Sequence, residues 1–312
     1  MTKILKLLAL VGPTAVGKTA LSIALAQQIN AEIISCDSMQ VYRGMDIGTA
    51  KATLEERKII PHHMIDIVDP DVNFTVADYQ RLARQEVVRL NQIEKPALLV
   101  GGTGLYYQAL VDDFNFFPIE SHAQVREKWE TIGREKGLEF LYHELMRVDE
   151  EYAQKVGPND RKRIIRALEV WELTGEPFSR LQRKNLDSMQ LQVVGLYMDR
   201  EQLYRRIEVR VDMMIEEGLI EEVISLREKG YDLGLKSMNS LGYKQVLCYL
   251  DGMLSYDEML REIKRETRHF AKRQLTWFRK DERIVWINTE TETSSNLPEK
   301  IRVKMAGQNQ QV

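Results

Sequence analysis

The sequence predicts an α/β protein, in which a P-loop NTPase-like parallel sheet is flanked by helices and a small helical domain is inserted. The apolar run from Ile4 to Val11 predicts a buried strand, and it leads directly into the phosphate-binding pattern Gly12-Pro13-Thr14-Ala15-Val16-Gly17-Lys18-Thr19. The strand and helix alternation stops at about residue 113, where the composition turns helical and charged. We therefore expect a core domain of residues 1–112 and 191–312, with residues 113–190 inserted.

Further strands are predicted where short apolar runs interrupt the helical segments. These runs are Glu32 to Cys36, Ala97 to Val100, Gln192 to Met198 and Arg283 to Asn288. Because open α/β sheets bind ligands at the carboxyl ends of their strands, the residues that follow these runs are candidates for a site.

Helices are predicted from apolar spacing and from capping residues. They cover Ala20 to Ile29, a segment from Thr75 to about Lys95, a segment after Pro158-Asn159-Asp160, one beginning at Arg200, and a long one capped by Ser255. The polar stretch from Gly44 to Pro61 is expected to be an irregular, mobile surface segment near the site, and the end after Gly307 is expected to fray.

Composition limits the classes of protein to consider. The chain has 312 residues, 44% of them hydrophobic and 29% charged, which is ordinary for a globular protein. The N-terminal apolar run is short and contains Lys6, so we expect no membrane or targeting segment and a cytoplasmic, monomeric protein. A net charge of −3 argues against binding nucleic acid through global charge, so any such partner requires a local basic surface. Cys36, Cys248 and the pair His62-His63 have no metal-ligand or redox spacing.

The phosphate-binding pattern predicts an anion site. The amides of the loop and of the following helix would point at the anion, Lys18 would add a positive charge, and the Thr19 hydroxyl could hold Mg2+. ATP or GTP is the default ligand, but any molecule that carries pyrophosphate satisfies the same physics. The predicted strand Ala97 to Val100 is followed by Gly101, where a nucleotide hydrolase needs an acidic residue. The glycine weakens an ATPase interpretation.

Two polar residues follow neighbouring strands at the expected site edge. Asp37 could be a Mg2+ ligand, a general base, or a turn or capping residue. Thr103, within Gly101-Gly102-Thr103-Gly104, could donate a hydrogen bond to a ligand, or it could serve only a tightly packed helix entry.

Basic residues at helical spacing indicate possible contacts with anions or nucleic acid. Arg163 and Arg166 could meet successive phosphates or belong to an ordinary solvated face. Arg210 borders a buried stripe and could either clamp an anion or extend its side chain into solvent. A longer stripe comprises Arg261, Arg265, Arg268, Lys272 and Arg279, and it could bind a nucleic-acid backbone or pair with the adjacent Glu258, Glu262 and Glu266.

Six segments together resemble the bacterial tRNA dimethylallyltransferases, also called tRNA isopentenyltransferases. They are GPTAVGKT, DSMQVYRGMDIGTAK, GGTGLYY, NDRKRIIRALEV, LGYKQ and TRHFAKRQLTWFRK, and the resemblance runs from Leu10 to about Trp286. It implies transfer of a dimethylallyl group from dimethylallyl pyrophosphate to N6 of the adenosine immediately 3′ of the tRNA anticodon. The phosphate loop would then bind pyrophosphate instead of ATP.

The same resemblance assigns roles to individual residues. Thr14 would orient the donor, Lys18 and Thr19 would bind its pyrophosphate and Mg2+, Asp37 would be the general base, and Arg210 would steady the departing pyrophosphate. The tRNA would be contacted by Asp37, Ser38, Met39, Gln40 and Thr103, by Lys162, Arg163, Ile164, Ile165 and Arg166 of the inserted domain, and by Arg268 and Lys272 on the anticodon stem.

Two other functions stay open at this point. A small-molecule kinase or ATPase with the same fold would turn over ATP, and it would want the strand-end acid that Gly101 does not supply. An RNA-binding protein without catalysis would leave the phosphate loop and Asp37 unused.

Overall fold

A computed structural model of the chain describes residues 4–114, 123–181, 189–291 and 296–308. The chain divides into two compact units, Met1–Val111 with Asp187–Val312, and Asp112–Leu186. The second unit thus spans residues 112–186, where the composition led to an expected insertion of residues 113–190.

The first unit contains a parallel sheet. Within the described residues its strands are β1 (Leu5–Val11), β2 (Glu32–Cys36), β3 (His62–His63), β4 (Ala97–Gly101), β5 (Met189–Tyr197) and β6 (Val285–Asn288). They are ordered β3-β2-β4-β1-β5-β6, and every neighbouring pair is parallel. The predicted α/β fold class is confirmed.

Helices cover both faces of this sheet. In chain order the helices are α1 (Lys18–Ile29), α2 (Leu54–Ile59), α3 (Val76–Gln92), α4 (Gly104–Val111), α5 (Ala123–Val148), α6 (Glu150–Val156), α7 (Arg161–Thr174), α8 (Phe178–Leu181), α9 (Arg200–Glu216), α10 (Leu219–Glu228), α11 (Tyr243–Leu250), α12 (Tyr256–Phe278) and α13 (Leu297–Gly307). Helices α5 to α8 belong to the second unit, and the others belong to the first.

The alternating side chains of β1 divide the core of the first unit into two layers. Leu7, Ala9 and Val11 pack with the buried face of α3, whereas Leu10 packs with α1 and α13. A strand that is covered on both faces reads as a continuous apolar run, which is why β1 was predictable from sequence.

Register places the predicted site segments side by side. Val11 of β1 and Cys36 of β2 both pair with Gly101 of β4. The phosphate loop, Asp37 and Gly102 therefore leave the sheet at the same level and at the same edge.

The stretch from Gly44 to Pro61 is more ordered than expected. Thr53 and Glu56 form a reciprocal capping box at the start of α2, and Lys51 is buried. Helix α2 has six residues and buries none of them, so it carries no apolar period that sequence analysis could detect. The two-residue β3 and the helix α13 were also not predicted.

The second unit has its own apolar core. Helix α5 is interrupted at Gly137, where φ is 86°, and its second half packs Leu141 and Leu145 against Ile164 and Leu168 of α7. Across the described residues of both units, none of the helices combines the length and apolarity required to cross a bilayer.

Candidate active site

A cavity of about 1190 Å³ opens at the carboxyl edge of the sheet in the first unit. The segments after β1, β2 and β4 form its floor, and α9 and α12 contribute to its walls. Its lining includes Thr14, Lys18, Thr19, Asp37 and Arg210. The sequence-predicted donor and base residues are thus brought together.

The phosphate loop connects β1 to α1 through left-handed backbone. Gly17 has φ 99° and stands at the N-cap of α1, a conformation that a residue with Cβ adopts only at a cost. No side chain caps this helix end, so the first amides of α1 are open to a ligand in the cavity. Thr14, Ala15, Gly17, Lys18 and Thr19 line the cavity. Gly12, Pro13 and Val16, also predicted to bind pyrophosphate, are buried behind it.

Lys18 is folded back onto its own loop. Its Nζ donates to the carbonyl oxygens of Gly12 at 2.9 Å and Pro13 at 2.7 Å. Burial, followed by the positive charge of Arg210, lowers the pKa of Lys18 to about 7, and the charge of Asp37 opposes this shift. An anion bound next to Lys18 would therefore stabilise its charged form.

Asp37 occupies a turn that directly follows β2. Its Oδ1 accepts hydrogen bonds from the amides of Met39 at 2.8 Å and Gln40 at 3.4 Å. The turn role considered for Asp37 is therefore real, and it orients a carboxylate in the cavity wall. Within the described residues the hydrogen bonds of this carboxylate use Oδ1 alone, which leaves Oδ2 available for chemistry.

Thr103 connects β4 to the Asp37 turn. Its Oγ1 accepts a hydrogen bond from the Ser38 amide at 3.1 Å, and its own amide donates to the Cys36 carbonyl at 3.1 Å. The hydroxyl oxygen of Thr103 thus receives a backbone donor and fixes the base-bearing turn, and because a hydroxyl can accept and donate at the same time, donation to a ligand stays a prediction.

The wall contributed by α9 is electropositive. Burial lowers the pKa of Arg210, while the charges of Asp37 and Glu217 oppose that effect. Arg206, one turn earlier, also lines the cavity, and its Nη2 lies 3.5 Å from the position that a Cβ on Gly17 would take. Two guanidinium groups therefore accompany Lys18 near the phosphate loop, as an anionic ligand requires.

The segment that follows Asp37 forms one wall of the cavity and is held from within. The Gln40 side chain donates from Nε2 to the Thr49 carbonyl at 3.2 Å and accepts from the Ser35 hydroxyl at 2.8 Å. Lys51, whose side chain is 1% exposed, pairs with Asp46 at 2.5 Å and Asp66 at 2.7 Å. This ion cluster was not recognised in the sequence, because its acids and its lysine lie in a stretch without regular spacing.

A second anchor holds the same wall from outside. The carboxylate of Glu222 on α10 accepts from the amides of Asp46 at 2.9 Å, Ile47 at 2.8 Å and Gly48 at 3.2 Å. It also accepts from the hydroxyl of the buried Tyr243 at 2.6 Å. The LGYKQ segment quoted from the sequence thus includes a residue that supports the cavity wall through Glu222.

Gln274 on α12 is the main site residue that sequence analysis missed. Its Oε1 accepts from the Thr14 amide at 2.8 Å, and its Nε2 donates to the Gly102 carbonyl at 3.0 Å. A signal was present, because Gln274 falls on the buried stripe of α12 with Met259, Ile263 and Ala271. An amide side chain on an apolar stripe usually has a defined polar partner.

The oxygen donors in the cavity suit Mg2+. Thr19 supplies a hydroxyl and Asp37 a carboxylate, and Mg2+ typically binds one or two protein oxygens together with substrate phosphates and water. Within the described ranges, no cluster of three or more His, Cys, Asp or Glu residues forms a complete protein metal cage. The donor set thus fits a metal that arrives with a phosphorylated ligand.

The basic stripe on α12 is only partly free. Arg265 pairs with Glu266 of the same helix at 3.1 Å, as the alternative interpretation of the stripe expected, whereas Arg268 pairs with Glu208 of α9 at 2.7 Å, which was not expected. Lys272 is exposed and forms no ion pair with another described residue. Lys272 is therefore the more accessible of the two predicted stem contacts.

The predicted tRNA contacts on α7 separate by burial within the second unit. Lys162 and Arg163 are exposed, and Arg166 is half-buried with Nη1 3.1 Å from the buried Glu169 carboxylate. Ile164 and Ile165 are fully buried in the core of this unit. Contact of tRNA with positions 162–166 stays a prediction, and the side chains of Ile164 and Ile165 face the core because consecutive positions of a helix point in different directions.

Comparison with known proteins identifies the family. The family model described as IPP transferase matches residues 40–281. This chain belongs to the IPP transferase family. It is 59% identical over 283 residues to the tRNA dimethylallyltransferase of Syntrophomonas wolfei, covering 91% of each chain. It is 49% identical over 297 residues to that of Alkaliphilus oremlandii, covering 94% of this chain and 95% of the relative.

Solved structures of the IPP transferase family share the architecture. The full-length tRNA isopentenylpyrophosphate transferase from Bacillus halodurans superposes with a TM-score of 0.72 at 42% identity and 98% coverage of both chains. A eukaryotic dimethylallyltransferase, solved acting on tRNA, gives a TM-score of 0.79 at 28% identity, covering 96% of this chain and 77% of its own. The resemblance noted from the sequence is thereby confirmed at the level of the family.

Proposed function

We propose that this protein transfers a dimethylallyl group from dimethylallyl pyrophosphate to N6 of the adenosine immediately 3′ of the anticodon in tRNA, releasing pyrophosphate. The observation that carries the proposal is the convergence of a phosphate loop, a turn carboxylate and a half-buried arginine on one cavity in a member of the IPP transferase family. Each group matches one requirement of the reaction.

The donor side must accept negative charge as the allylic carbon–oxygen bond breaks. The open amides at the start of α1, together with Lys18 and Arg210, surround the position where pyrophosphate would gain that charge. Preorganised hydrogen-bond donors stabilise such a transition state more than they stabilise the ground state. Thr14 lines the same cavity and would orient the donor.

The acceptor side must remove a proton from a weakly nucleophilic amine. The exocyclic N6 of adenine forms the new bond to the allylic carbon, and the carboxylate of Asp37 would accept the N6 proton as that bond forms. The hydrogen bonds from Met39 and Gln40 fix the carboxylate, so its position does not depend on the substrate. Because a base inside a duplex could not reach this cavity, an extruded base of a single-stranded loop suits the site.

Mg2+ would be held by the Thr19 hydroxyl together with oxygens of the donor. When bound, the ion would neutralise negative charge on pyrophosphate and make it a better leaving group. The residues of the chain supply the remaining functions: binding, orientation and proton removal.

Basic residues of each unit would contact the tRNA. Lys272 on α12 and the exposed Lys162 and Arg163 on α7 are available to contact phosphates, and Arg268 would contribute once released from Glu208. We assign the anticodon stem to α12 and the anticodon loop to α7.

The test incubates the protein with Mg2+, dimethylallyl pyrophosphate and an anticodon stem-loop RNA, and then measures the mass of the target adenosine. The proposal expects one dimethylallyl group on that adenosine and one pyrophosphate released per transfer. ATP turnover without any mass gain would instead support a kinase or an ATPase.

Asp37→Asn provides the matched variant. The asparagine Oδ1 can still accept from the Met39 amide, so the turn should persist, but the side chain cannot take a proton. We expect transfer to fall about 10²- to 10⁴-fold with RNA affinity retained, as for the loss of a general base. An equal loss of RNA affinity would reject the base assignment.

A further inference from the structure

Within the described residues, the Gln274 side chain links two parts of the cavity. The donor half is the segment after β1, which would bind dimethylallyl pyrophosphate, and the acceptor half is formed by the segments after β4 and β2, which carry Thr103 and Asp37. Gln274 projects from α12 and is 5% exposed, and its two polar atoms contact the segments that follow β1 and β4. The oxygen and the nitrogen of this buried amide are both hydrogen-bonded to main-chain groups. Replacing Gln274 is therefore costly, because each hydrogen bond that is lost leaves a buried main-chain group unpaired.

The donor half is fixed through Thr14. The Thr14 amide donates to Gln274 at 2.8 Å, so this amide points at the helix and not at a bound pyrophosphate. The backbone of Thr14 is thereby held by a contact from outside the phosphate loop.

The acceptor half is fixed through Gly102. Its carbonyl accepts from Gln274 at 3.0 Å, and a Cβ on Gly102 would overlap the Gln274 amide nitrogen. The next residue, Thr103, accepts from the Ser38 amide at 3.1 Å, directly beside Asp37. A continuous path of hydrogen bonds and peptide units thus runs from Thr14 through Gln274 and Thr103 to the base-bearing turn.

We propose that Gln274 is a positioning residue that sets the distance between the donor held by Thr14 and the base Asp37. This inference rests on the proposed transfer reaction. It assigns to α12 a role in the chemical step, distinct from RNA contact by the exposed face of the same helix. Because misplacement of reacting groups by about 1 Å can cost about 10²-fold in rate, the main effect of its loss falls on kcat.

The decisive variant is Gln274→Glu. At high pH its ionised carboxylate can still accept from Thr14, but it cannot donate to Gly102 and instead repels that carbonyl. At low pH the protonated carboxyl has the same shape and the same donor and acceptor as the amide that it replaces. Burial and the neighbouring carbonyl would raise the pKa of this carboxyl, which brings the change toward the neutral range.

The matched control is Asn91→Asp. Asn91 forms an analogous main-chain clamp at the opposite end of β1, accepting from the Lys6 amide at 2.8 Å and donating to the Lys6 carbonyl at 3.0 Å. The same amide-to-carboxylate change is thus made on a residue of α3 that contacts the other end of β1, far from the cavity edge. It should lower thermal stability and leave kcat unchanged.

The measurements are kcat and KM for both substrates between pH 6 and 9, with thermal unfolding of each variant. For Gln274→Glu we expect a loss in kcat of about 10²-fold at the alkaline end, with KM changed by less than about threefold, and recovery relative to wild type as the pH falls. A kcat within about twofold of wild type at every pH would overturn the inference. So would a variant-to-wild-type ratio that is equally low at every pH.

A measurement on the unmodified protein covers the case in which Gln274→Glu does not fold. Hydrogen exchange followed by NMR should show the Thr14 amide protected to the level of the sheet amides. Rapid exchange of this amide would refute the Gln274–Thr14 hydrogen bond, which is the proposed clamp, without any assay of activity. Failure of the wild type to transfer the dimethylallyl group, with the Thr14 amide protected, would count against the proposed function and not against the clamp.

Discussion

The pKa of Lys18 predicts a pH dependence of donor binding that is opposite to the usual expectation for a phosphate ligand. Lys18 in the free protein has its pKa lowered to about 7, first by burial and then by Arg210. A bound pyrophosphate would offset both effects and raise this pKa toward its ordinary value. Binding of dimethylallyl pyrophosphate should therefore take up a proton whenever the pH exceeds about 7.

The magnitude follows from the two protonation states. If the bound pKa approaches the ordinary lysine value of about 10.4, the affinity for the donor should fall about 50-fold between pH 7 and pH 9. Rising pH ionises a phosphate and, taken alone, strengthens its binding, so the lysine effect has the opposite sign. Isothermal calorimetry in two buffers of different ionisation enthalpy would measure both the affinity and the proton uptake.

Lys18→Arg separates the two contributions. The guanidinium stays charged at every accessible pH, so the variant should report only the titration of the ligand, and it should take up no proton. A wild-type affinity that is constant or improving between pH 7 and 9, with no buffer-dependent heat, would refute the interpretation of Lys18.

Three further predictions concern the walls of the cavity and the RNA surface. Glu222→Ala should destabilise the protein by about 2 kcal/mol, because three backbone amides and the Tyr243 hydroxyl lose the carboxylate that they share as acceptor. The measurement is thermal unfolding, and Glu221→Ala on the same helix is the control. Lys51→Met should lower the free energy of unfolding, measured by chemical denaturation, by about 3 kcal/mol, because Asp46 and Asp66 lose the buried cation between them. A decrease of less than about 1 kcal/mol would show that this ion cluster contributes little to stability. Lys272→Gln should lower the magnitude of the slope of log affinity for stem-loop RNA against log salt by about 0.7 to 0.9. Arg268→Gln should lower it less, because Glu208 already neutralises Arg268. Equal slopes for both variants and wild type would remove α12 from the RNA interface.

The parts of the fold that could be predicted are those with a strong local signal. β1, β2 and β4 are buried on both faces and read as apolar runs, and the Thr75 and Ser255 capping boxes mark the starts of α3 and α12. Helix α2 buries none of its residues, so only its cap could have indicated it.

The candidate site was predictable where its chemistry lies within one segment. The phosphate loop and Asp37 each follow a strand, and parallel strands bring such segments to one edge. Gln274 and Glu222 were not predictable in role, because their partners lie 260 and 174 to 176 residues away in the chain. Ile164 and Ile165 belong to a continuous predicted tRNA-contacting motif, and the structure adds that a helix turns consecutive residues to different sides and that these two side chains face the core.

The packing of Gly101 has an evolutionary consequence. Any Cβ at this position would overlap the Cys36 carbonyl of the neighbouring strand, so the backbone leaves no room for a side chain. An acidic residue of the kind with which related folds activate water for nucleotide hydrolysis is one base change away from glycine, but its side chain would clash with β2 at this position. The substitution alone should therefore disrupt the sheet instead of creating a hydrolase, because β2 would first have to move away from β4.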